Sequence, residues 1–287
     1  MEEKIQFNVI DNLMDFDRYK LLIIPDFGLL DDNTKKKIAE CISGGGRIIF
    51  SYKATLEDGE FKVPGTGLNP VDSDRYDVDF IRVGPQISQG IPLGFDIAMY
   101  SSGVYTRLED GVALAWIRES YFRRSYKTYT SHTYSPAARD SESPAITLSI
   151  DGKILYIYSP IFAAYFKYGY WLHARILRNC LDLMLKDRLV YPTLPSTSEA
   201  YLWRRQDSLI IYLVNYQSMR IGKHPEYMGE YTPYSSLRLR VRTTREPERV
   251  YYYADGRELR YSFSDGVVDI VLAAPAIYEI VVLEDAA

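Results

Sequence analysis

The residues best suited to chemistry lie in one segment, Tyr126–Pro136, which reads YKTYTSHTYSP. Its apolar residues do not recur at the spacing of a buried helix or strand. Neutral imidazole and phenol groups can hydrogen-bond sugar hydroxyls while an aromatic ring stacks on the apolar face of the sugar. Loops that carry such groups are where binding usually occurs. We therefore predict that Tyr129, Ser131, His132 and Tyr134 contact a substrate, with a structural role for the segment as the alternative. No catalytic role is assigned to them.

A second candidate for a polar contact is Asp26, which follows an apolar run closed by Pro25. Ligands of open α/β sheets gather at the carboxyl ends of strands, and Glu57-Asp58 is predicted to lie at such an end too. Hydrolysis that uses carboxyl groups as acid and base requires two of them at one site. We expect these acids to make polar contacts and not to form a catalytic pair.

The cysteines, histidines and glycines do not form a recognisable reactive motif. Cys41 and Cys180 fall on apolar helical faces, which favours structural cysteines over nucleophiles. The histidines are far apart and lack metal-ligand spacing; His173 falls in a helix and His224 in a loop. Gly44–Gly46 precedes a strand and does not open a helix, so it cannot cradle a phosphate. We expect no catalytic residue, no metal and no cofactor in this chain.

Composition limits the partners and the location. The chain has 287 residues, 34 of them basic and 38 acidic, and its net charge of −4 favours neither nucleic acid nor an anionic membrane. No apolar run reaches the roughly 20 residues of a membrane helix, and the acidic start does not resemble a signal peptide. Two cysteines in helical patterns argue against a disulfide framework. These observations predict a cytoplasmic protein.

The elements that must position the candidate residues begin with a strand, a helix and a second strand. Leu21–Ile24 is a continuous apolar run typical of a buried strand, and Ile48–Phe50 is another. Between them, Asp31 or Asp32 can cap a helix, and Gly44–Gly46 ends it. The sequence therefore predicts a βαβ unit with parallel strands.

The remainder of the chain divides into an α/β part and an all-β part. Ser51–Asp74 is rich in Gly, Pro, Asp and Asn and is predicted to be a long loop. Thr147–Tyr158 has the pattern of a hairpin, and Tyr170–Leu185 that of an amphipathic helix. Tyr191–Ser198 marks the boundary between the domains, because beyond it apolar and polar residues alternate as they do in β-strands. That second domain is predicted to be a small antiparallel sandwich.

Several segments carry a resemblance to a known family. The run YKLLIIPDFGLLDDNTKKKIAECISGGGRIIF resembles the β-galactosidase trimerisation domain, a glutamine-amidotransferase-like module found behind the catalytic barrel of several glycoside hydrolases. Later motifs are similar to the C-terminal half of the α-L-fucosidase-like enzymes of the hypothetical glycosyl hydrolase group. These motifs are SHTYSP, GKILYIYSPIFAAYFKYGY, YPTLP and LVNY, which begin at Ser131, Gly152, Tyr191 and Leu213.

The resemblance implies a fold and a domain division. It implies a flavodoxin-like sheet of the class I glutamine amidotransferase type over residues 1–190, followed by the β-sandwich over residues 191–287. Modules of this type are regarded as having lost glutaminase chemistry. Family members usually begin with a strand and a helix that this chain lacks in front of Phe7–Ile10, which would leave an unpaired sheet edge.

The resemblance also implies a function. The chain is expected to be a non-catalytic assembly and active-site-supporting region of a glycoside hydrolase, of the α-L-fucosidase or β-galactosidase type. It is expected to form a homo-oligomer, a dimer or a trimer, and to work with a catalytic barrel that this sequence does not contain. The alternatives are a stand-alone carbohydrate-binding protein that uses the loop around His132 and, third, an independent hydrolase.

Overall fold

The computed structural model describes residues 3–132, 134–191, 193–217 and 231–287. The chain forms two compact units: Ile10–Lys186, here called the α/β unit, and Met1–Val9 together with Asp187–Ala287, here called the β unit. Residues 3–9 thus belong with the C-terminal strands. His224, predicted to lie in a loop, is outside the described residues.

The α/β unit is built from short strands and helices in chain order. These are β1 (Leu21–Ile24), α1 (Asp32–Ser43), β2 (Arg47–Ser51), β3 (Leu56–Glu57), β4 (Glu60–Phe61), β5 (Leu68–Ser73), β6 (Phe80–Val83), β7 (Ile97–Ala98), β8 (Val104–Leu108), β9 (Val112–Ser120), β10 (Ala137–Leu148), β11 (Ile154–Ile157), α2 (Ile161–Tyr168) and α3 (Trp171–Met184). A single turn of 3-10 helix follows β6 at Pro85–Ile87.

The predicted βαβ unit is present, and its local chemistry explains its limits. Asp31 caps α1 by accepting a hydrogen bond from the backbone N–H of Thr34 at 2.7 Å, which lowers the pKa of its carboxyl to about 2. At the other end, a Cβ on Gly46 would lie 2.4 Å from the Sγ atom of Cys41, so only glycine fits there. Strands β1 and β2 are parallel, with Leu22 opposite Ile48.

These strands belong to a seven-stranded mixed sheet in the order β1-β2-β11-β10-β9-β6-β7. Strands β1, β2 and β11 are parallel, whereas β10, β9, β6 and β7 pair in antiparallel fashion. Helices α1 and α3 both contact β2, and their apolar faces join one core with the sheet. The prediction of an α/β domain is confirmed. Strand β1 lies at the edge of this sheet.

The segment Ser51–Asp74 is not the unstructured loop that we expected. Strands β3 and β4 form a hairpin within it, and β5 pairs with β8. The hairpin turns through Asp58-Gly59, whose φ angles are 51° and 79°, as a two-residue turn of this kind requires. The Asp-Gly signal was present in the sequence, but strands of two residues are too short to show alternation.

Helix α3 corresponds to the predicted helix Tyr170–Leu185, whereas α2 was not predicted. Helix α2 has only eight residues, and Gly169 ends it in the left-handed region with φ of 59°. Its sequence, IFAAYFKY, is dominated by aromatic residues and lacks a clear amphipathic pattern. The signal for a helix there was therefore weak.

In its described part, the β unit contains strands and no helix. The strands are β12 (Ser198–Arg205), β13 (Ser208–Asn215), β14 (Ser236–Arg242), β15 (Arg249–Tyr252), β16 (Arg260–Ser264), β17 (Val267–Ala273) and β18 (Tyr278–Glu284). They form two antiparallel sheets, β12-β13-β18-β15 and β14-β17-β16. Side chains of both sheets, such as Ile211 and Ile270, share one hydrophobic core, so the two sheets pack face to face.

A tight backbone contact in the α/β unit yields a prediction. A Cβ on Gly103 would lie 2.3 Å from the carbonyl oxygen of Tyr158, whereas a Cβ on Gly28 would meet nothing within 4 Å. We expect Gly103→Ala to lower the free energy of unfolding by about 1–3 kcal/mol or more, since backbone atoms cannot move aside cheaply. Urea denaturation measures this difference.

The matched control is Gly28→Ala, which should change the urea midpoint little because its new methyl group meets open space. Equal midpoints for the two variants would contradict the contact.

Candidate functional site

The predicted binding segment lies in the connection between β9 and β10. Ser131 and His132 are exposed, and the ring of Tyr129 is 69% exposed. The backbone of the segment is held locally: the carbonyl oxygen of His132 accepts hydrogen bonds from Arg124 Nη1 at 3.1 Å and from Thr130 Oγ1 at 3.2 Å. We call residues 121–136 the aromatic loop. Thr133 lies outside the described residues.

Tyr134 connects the aromatic loop to a cluster of rings. The ring of Tyr100 lies 6.0 Å from that of Tyr134, 4.9 Å from that of Tyr168 and 5.4 Å from that of Tyr170, measured between centroids. The His173 imidazole completes what we call the Tyr100 cluster, at 6.0 Å from Tyr100 and 5.1 Å from Tyr170. Rings at such distances stabilise one another beyond simple burial. Tyr134 therefore packs against this cluster through the ring of Tyr100.

His173 lies beneath this cluster and is fully buried. Its Nε2 atom lies 3.0 Å from the carbonyl oxygen of Ala98, which can only accept, so Nε2 carries the proton. Burial lowers the pKa of the imidazole, although the hydrogen bond to Ala98 opposes that shift. His173 is thus a neutral structural residue that supports the rings of Tyr100 and Tyr170.

A buried acid, Asp79, lies beside the segment that leads to Tyr100. Asp79 is fully buried and accepts hydrogen bonds from Ser102 Oγ at 2.6 Å and from Tyr105 OH at 2.9 Å. Burial raises the pKa of its carboxyl to about 6, against the opposing effect of the two hydroxyl donors. The backbone N–H of Met99 donates to the carbonyl oxygen of Asp79 at 2.9 Å, which ties this acid to the strand that leads to Tyr100.

A second acid, Glu119, anchors the two ends of the aromatic loop. It lies at the end of β9 and accepts hydrogen bonds from Arg75 Nη1 and Arg139 Nε at 2.7 Å each and from Tyr76 OH at 3.1 Å. Burial alone would raise the pKa of Glu119, but the hydrogen bonds from Arg139 and Tyr76 outweigh it and hold the pKa below its usual value. Because Arg139 lies in β10, this network joins the strands on both sides of the loop.

The remaining predicted residue, Asp26, lies at the carboxyl end of β1 and is buried. Its Oδ1 atom accepts from Ser51 Oγ at 2.8 Å and from the backbone N–H of Phe162 at 3.4 Å, while Oδ2 accepts from the N–H of Ala163 at 2.6 Å. It thus caps the N-terminus of α2. Since α2 ends at Tyr168, Asp26 positions the helix that supplies one ring of the Tyr100 cluster.

Groups for nucleophilic or metal chemistry are buried or dispersed. Cys41 and Cys180 are free and buried, and burial raises the pKa of the Cys180 thiol to about 12. Nucleophilic thiolates need the opposite shift. Within the described residues, no three His, Cys, Asp or Glu side chains are grouped so that they could hold a metal ion. Among those same residues, no helix combines the length and apolar character needed to cross a bilayer.

Sequence reasoning missed most of the residues that support the loop. Tyr100, Tyr168 and Tyr170 lie far from Tyr134 along the chain, and their convergence depends on strand order. Asp79 and Glu119 are single acids in strand-like segments, without a motif around them. The high tyrosine content, 26 residues, was the one available signal.

Comparisons with known proteins support the predicted resemblance. Residues 1–70 match the family described as the β-galactosidase trimerisation domain. The fold matches that of α-L-fucosidase isoenzyme 2 from Paenibacillus thiaminolyticus, with a TM-score of 0.91 and 22% identity over 100% of this chain and 44% of that chain. A comparison with curated proteins found no match.

Two β-galactosidase structures share the fold more distantly. The enzyme from Bacillus circulans sp. alkalophilus aligns with a TM-score of 0.63 and 13% identity, over 98% of this chain and 35% of its own. A catalytic mutant of Gan42B, a GH42 β-galactosidase from G. stearothermophilus, aligns with a TM-score of 0.59 and 15% identity, over 98% of this chain and 34% of its own. This chain therefore spans less than half the length of these enzymes. The resemblance predicted from the sequence is confirmed.

The buried Asp79 predicts a pH dependence of stability. Its pKa is about 6 in the folded chain, compared with an ordinary value of 3.8, so the folded chain binds the proton more tightly than the unfolded chain does. The contribution of Asp79 to the free energy of unfolding should therefore rise by about 1–3 kcal/mol as the pH falls from about 7.5 to about 4.5. Asp79→Asn should lose this rise. Urea unfolding of both proteins across that range measures the difference.

The matched control is Asp77→Asn, because the Asp77 side chain is exposed and its carboxylate accepts a long hydrogen bond, at 3.3 Å, from the backbone N–H of Arg124. Comparing each variant with the wild type cancels the opposite contribution of His173, whose lowered pKa removes stability as the pH falls. A wild-type minus Asp79→Asn difference that does not change with pH would show that this carboxyl is not perturbed.

Proposed function

We propose that this chain is a non-catalytic assembly and active-site-supporting region of a glycoside hydrolase, of the α-L-fucosidase or β-galactosidase type. The observation that carries this proposal is the combination of a trimerisation-domain match over residues 1–70 with a shared fold along the whole chain. The shared fold accounts for less than half of the fucosidase chain. A catalytic barrel is therefore the partner that we propose for this region.

The candidate site supports a non-catalytic role. Glycosidases place two carboxyl groups where a sugar can reach both of them. Here Asp79 and Glu119 are buried, and both accept hydrogen bonds from neighbouring side chains. They hold strands and the aromatic loop in place, which is a supporting function.

We further propose that the aromatic loop reaches toward the sugar site of that barrel. Ser131 and His132 are exposed on a loop whose two ends are joined by Glu119 and Arg139. Tyr129 and Tyr134 would supply rings for stacking. Asp26 would act indirectly, by positioning α2.

The finer fold and the assembly are part of the same proposal. Strands β1, β2 and β11 with α1 and α3 would represent a flavodoxin-like, amidotransferase-like sheet, to which the antiparallel strands are additions. We propose two domains, residues 1–190 and 191–287, with the N-terminal segment of the first contributing to the β unit, and a homo-oligomer, a dimer or a trimer, assembled through the α/β unit. The open edge of β1 is the surface that another subunit would cover.

Two buried unpaired cysteines favour a reducing, cytoplasmic location.

The assembly proposal is tested with the purified chain. It should sediment as a dimer or trimer at micromolar concentration, and it should not hydrolyse an aryl α-L-fucoside or an aryl β-D-galactoside above the uncatalysed rate. A monomer would refute assembly. Turnover that His132→Ala abolishes would refute the non-catalytic role and favour an independent hydrolase.

A stand-alone carbohydrate-binding protein is the second candidate, favoured by the fixed rings of the Tyr100 cluster. Tyr134 and Tyr168 are each 41% exposed, and Lys167 Nζ lies 4.9 Å from the centroid of the Tyr168 ring. Rings fixed next to a cation and several hydroxyl groups suit a sugar's apolar face and its polar edge.

Calorimetric titration with fucose and galactose tests this candidate. Binding that Tyr134→Ala weakens at least about tenfold would favour it, since one stacked ring is worth about 1–3 kcal/mol. The matched control is Tyr121→Ala, because that ring is 71% exposed and, among the aromatic rings that the structure describes, is paired with Phe122 alone, at 6.0 Å. No heat with either sugar would leave the assembly role as the favoured function.

A further inference from the structure

The four-stranded sheet of the β unit presents an unusual outer face. Its inward side chains, such as Ile211 and Leu283, enter the core, so the alternate residues point outward. Nine of these outward residues are aromatic or aliphatic. They are Tyr201, Trp203, Ile210, Tyr212, Val214, Tyr251, Tyr278, Ile280 and Val282. Tyr253 follows β15 in a turn, and its backbone N–H donates to the carbonyl oxygen of Ile280 at 2.9 Å, which places a further tyrosine beside them.

The register places these residues in rows across the strands. Trp203 lies opposite Ile210, which lies opposite Val282, which lies opposite Tyr251. The rings at the margins remain accessible: Trp203 is 62% exposed, and Tyr253 is 66% exposed. Val282, in the middle, is only 7% exposed, because larger neighbours flank it. The face is therefore a continuous apolar surface with aromatic margins.

The outer face of the three-stranded sheet provides the contrast within the same unit. There the outward residues of β14 are Arg238, Arg240 and Arg242, and Arg238 pairs with Asp269 at 2.9 Å. Strand β16 adds Arg260 to that charged surface. This is the pattern expected of a sheet face that contacts water. The apolar character of the opposite face is therefore a property of that face and not of the whole unit.

The size of the apolar face suits a protein contact. Its four accessible rings are Tyr201, Trp203, Tyr253 and Tyr278, at 38%, 62%, 66% and 52% exposure. At about 150–250 Å² per aromatic side chain, these rings leave roughly 400 Å² accessible. A specific interface buries about 800 Å² on each partner. The rings alone supply about half of that area, and the aliphatic centre and the charged margins supply more.

Charges at the two ends of β12 indicate what covers the face. Glu199 points outward at one end and Arg205 at the other, roughly 20 Å apart at 3.3 Å per residue. Within the described residues, Arg205 forms no ion pair, and Glu199 accepts only from the Tyr201 hydroxyl. A two-fold axis that lies in the plane of the face and crosses the strands would reverse the strand direction. It would place Glu199 of one copy against Arg205 of the other.

We propose that this face is a two-fold contact between two copies of the chain, in which the aromatic rings pack together and Glu199 pairs with Arg205 of the second copy. Symmetric pairing uses the same surface twice, so the surface must complement itself in shape and in charge. An apolar centre with one acid and one base at opposite ends meets that condition. The marginal ion pairs set the register more than the affinity.

Two other modes of binding fit the face less well. Strand addition at β12 is blocked where Gln6 already occupies the backbone edge: its side chain donates to the carbonyl oxygen of Ala200 at 2.9 Å and accepts from the N–H of Leu202 at 2.8 Å. A glycan needs hydrogen-bonding groups beside the stacking rings. The centre of this face carries Ile210, Ile280 and Val282 instead.

Sedimentation of the full chain tests the contact. Trp203→Ser should raise the dissociation constant of the two-fold contact at least about 30-fold, the scale of a buried aromatic hot spot. The matched control is Arg260→Ser, on the outer face of the other sheet, which should leave the mass unchanged. Both residues are exposed, so thermal unfolding should show intact folds.

A charge exchange tests the symmetry directly. Arg205→Glu should weaken self-association by bringing two acids together, and the addition of Glu199→Arg should restore it. A residue that acts only within its own chain would not show this restoration. Failure of the double variant to restore the mass would overturn the proposed pairing.

The contact is distinguishable from the assembly proposed for the α/β unit. If both exist, Trp203→Ser halves the mass but leaves an oligomer. If only the two-fold contact exists, Trp203→Ser is a monomer. That result would refute the assembly through the α/β unit and leave the two-fold contact standing. Equal masses for wild type and Trp203→Ser would overturn the two-fold contact. This is also the result expected if a glycan or another protein occupies the face instead of a second copy.

Discussion

The α/β unit depends on how a short helix obtains partners for its first backbone N–H groups. The opening turn of any helix has N–H groups without intrahelical acceptors, and a buried helix must find them elsewhere. In this chain Asp26 provides the acceptors for α2, and Ser51 donates to the same carboxylate. One side chain therefore joins the ends of β1 and β2 to the start of α2. The backbone of Asp26 adopts φ of 40° to reach this position, a conformation that aspartate tolerates better than most residues.

This constraint extends to the rings of the Tyr100 cluster. Once the first turn of α2 is fixed, its last residue, Tyr168, has a defined position next to Tyr100, and Gly169 turns the chain toward α3. On the other side of the loop, Glu119 joins the strands that flank it, and the loop itself brings Tyr134 to the ring of Tyr100. The exposed loop is thus supported by buried polar contacts. Such contacts specify one arrangement because an unpaired buried polar group would be costly.

Tyrosine serves two physical purposes in this molecule. Buried tyrosines such as Tyr105 and Tyr156 place their hydroxyl groups on Asp79 and on a backbone carbonyl, which satisfies polar atoms inside the core. Exposed tyrosines lie at the aromatic loop and on the outer face of the four-stranded sheet. Tyrosine is suited to both settings because its ring is apolar and its tip is polar.

Elements whose signals are local could be predicted from consecutive residues. Apolar runs, a cap at Asp31 or Asp32 and the glycines that end α1 predicted the βαβ unit, and the alternation of apolar and polar residues predicted the β unit, because each depends on neighbours within a few residues. The resemblance to the trimerisation domain was also available from consecutive residues. Very short strands, such as those of the β3–β4 hairpin, gave too few residues for a period, and α2 gave an aromatic pattern without a clear face.

Contacts between distant residues could not be predicted in this way. The antiparallel additions to the sheet, the gathering of Tyr100, Tyr134 and Tyr168, and the capping of α2 by Asp26 all depend on strand order. Strand order is set by packing over the whole core, and no local pattern encodes it. The alternation of residues in β12 likewise predicted that the strand has two different faces. Which of them is buried became clear only from the core that its sheet shares with the three-stranded sheet, because that core leaves the aromatic face outside.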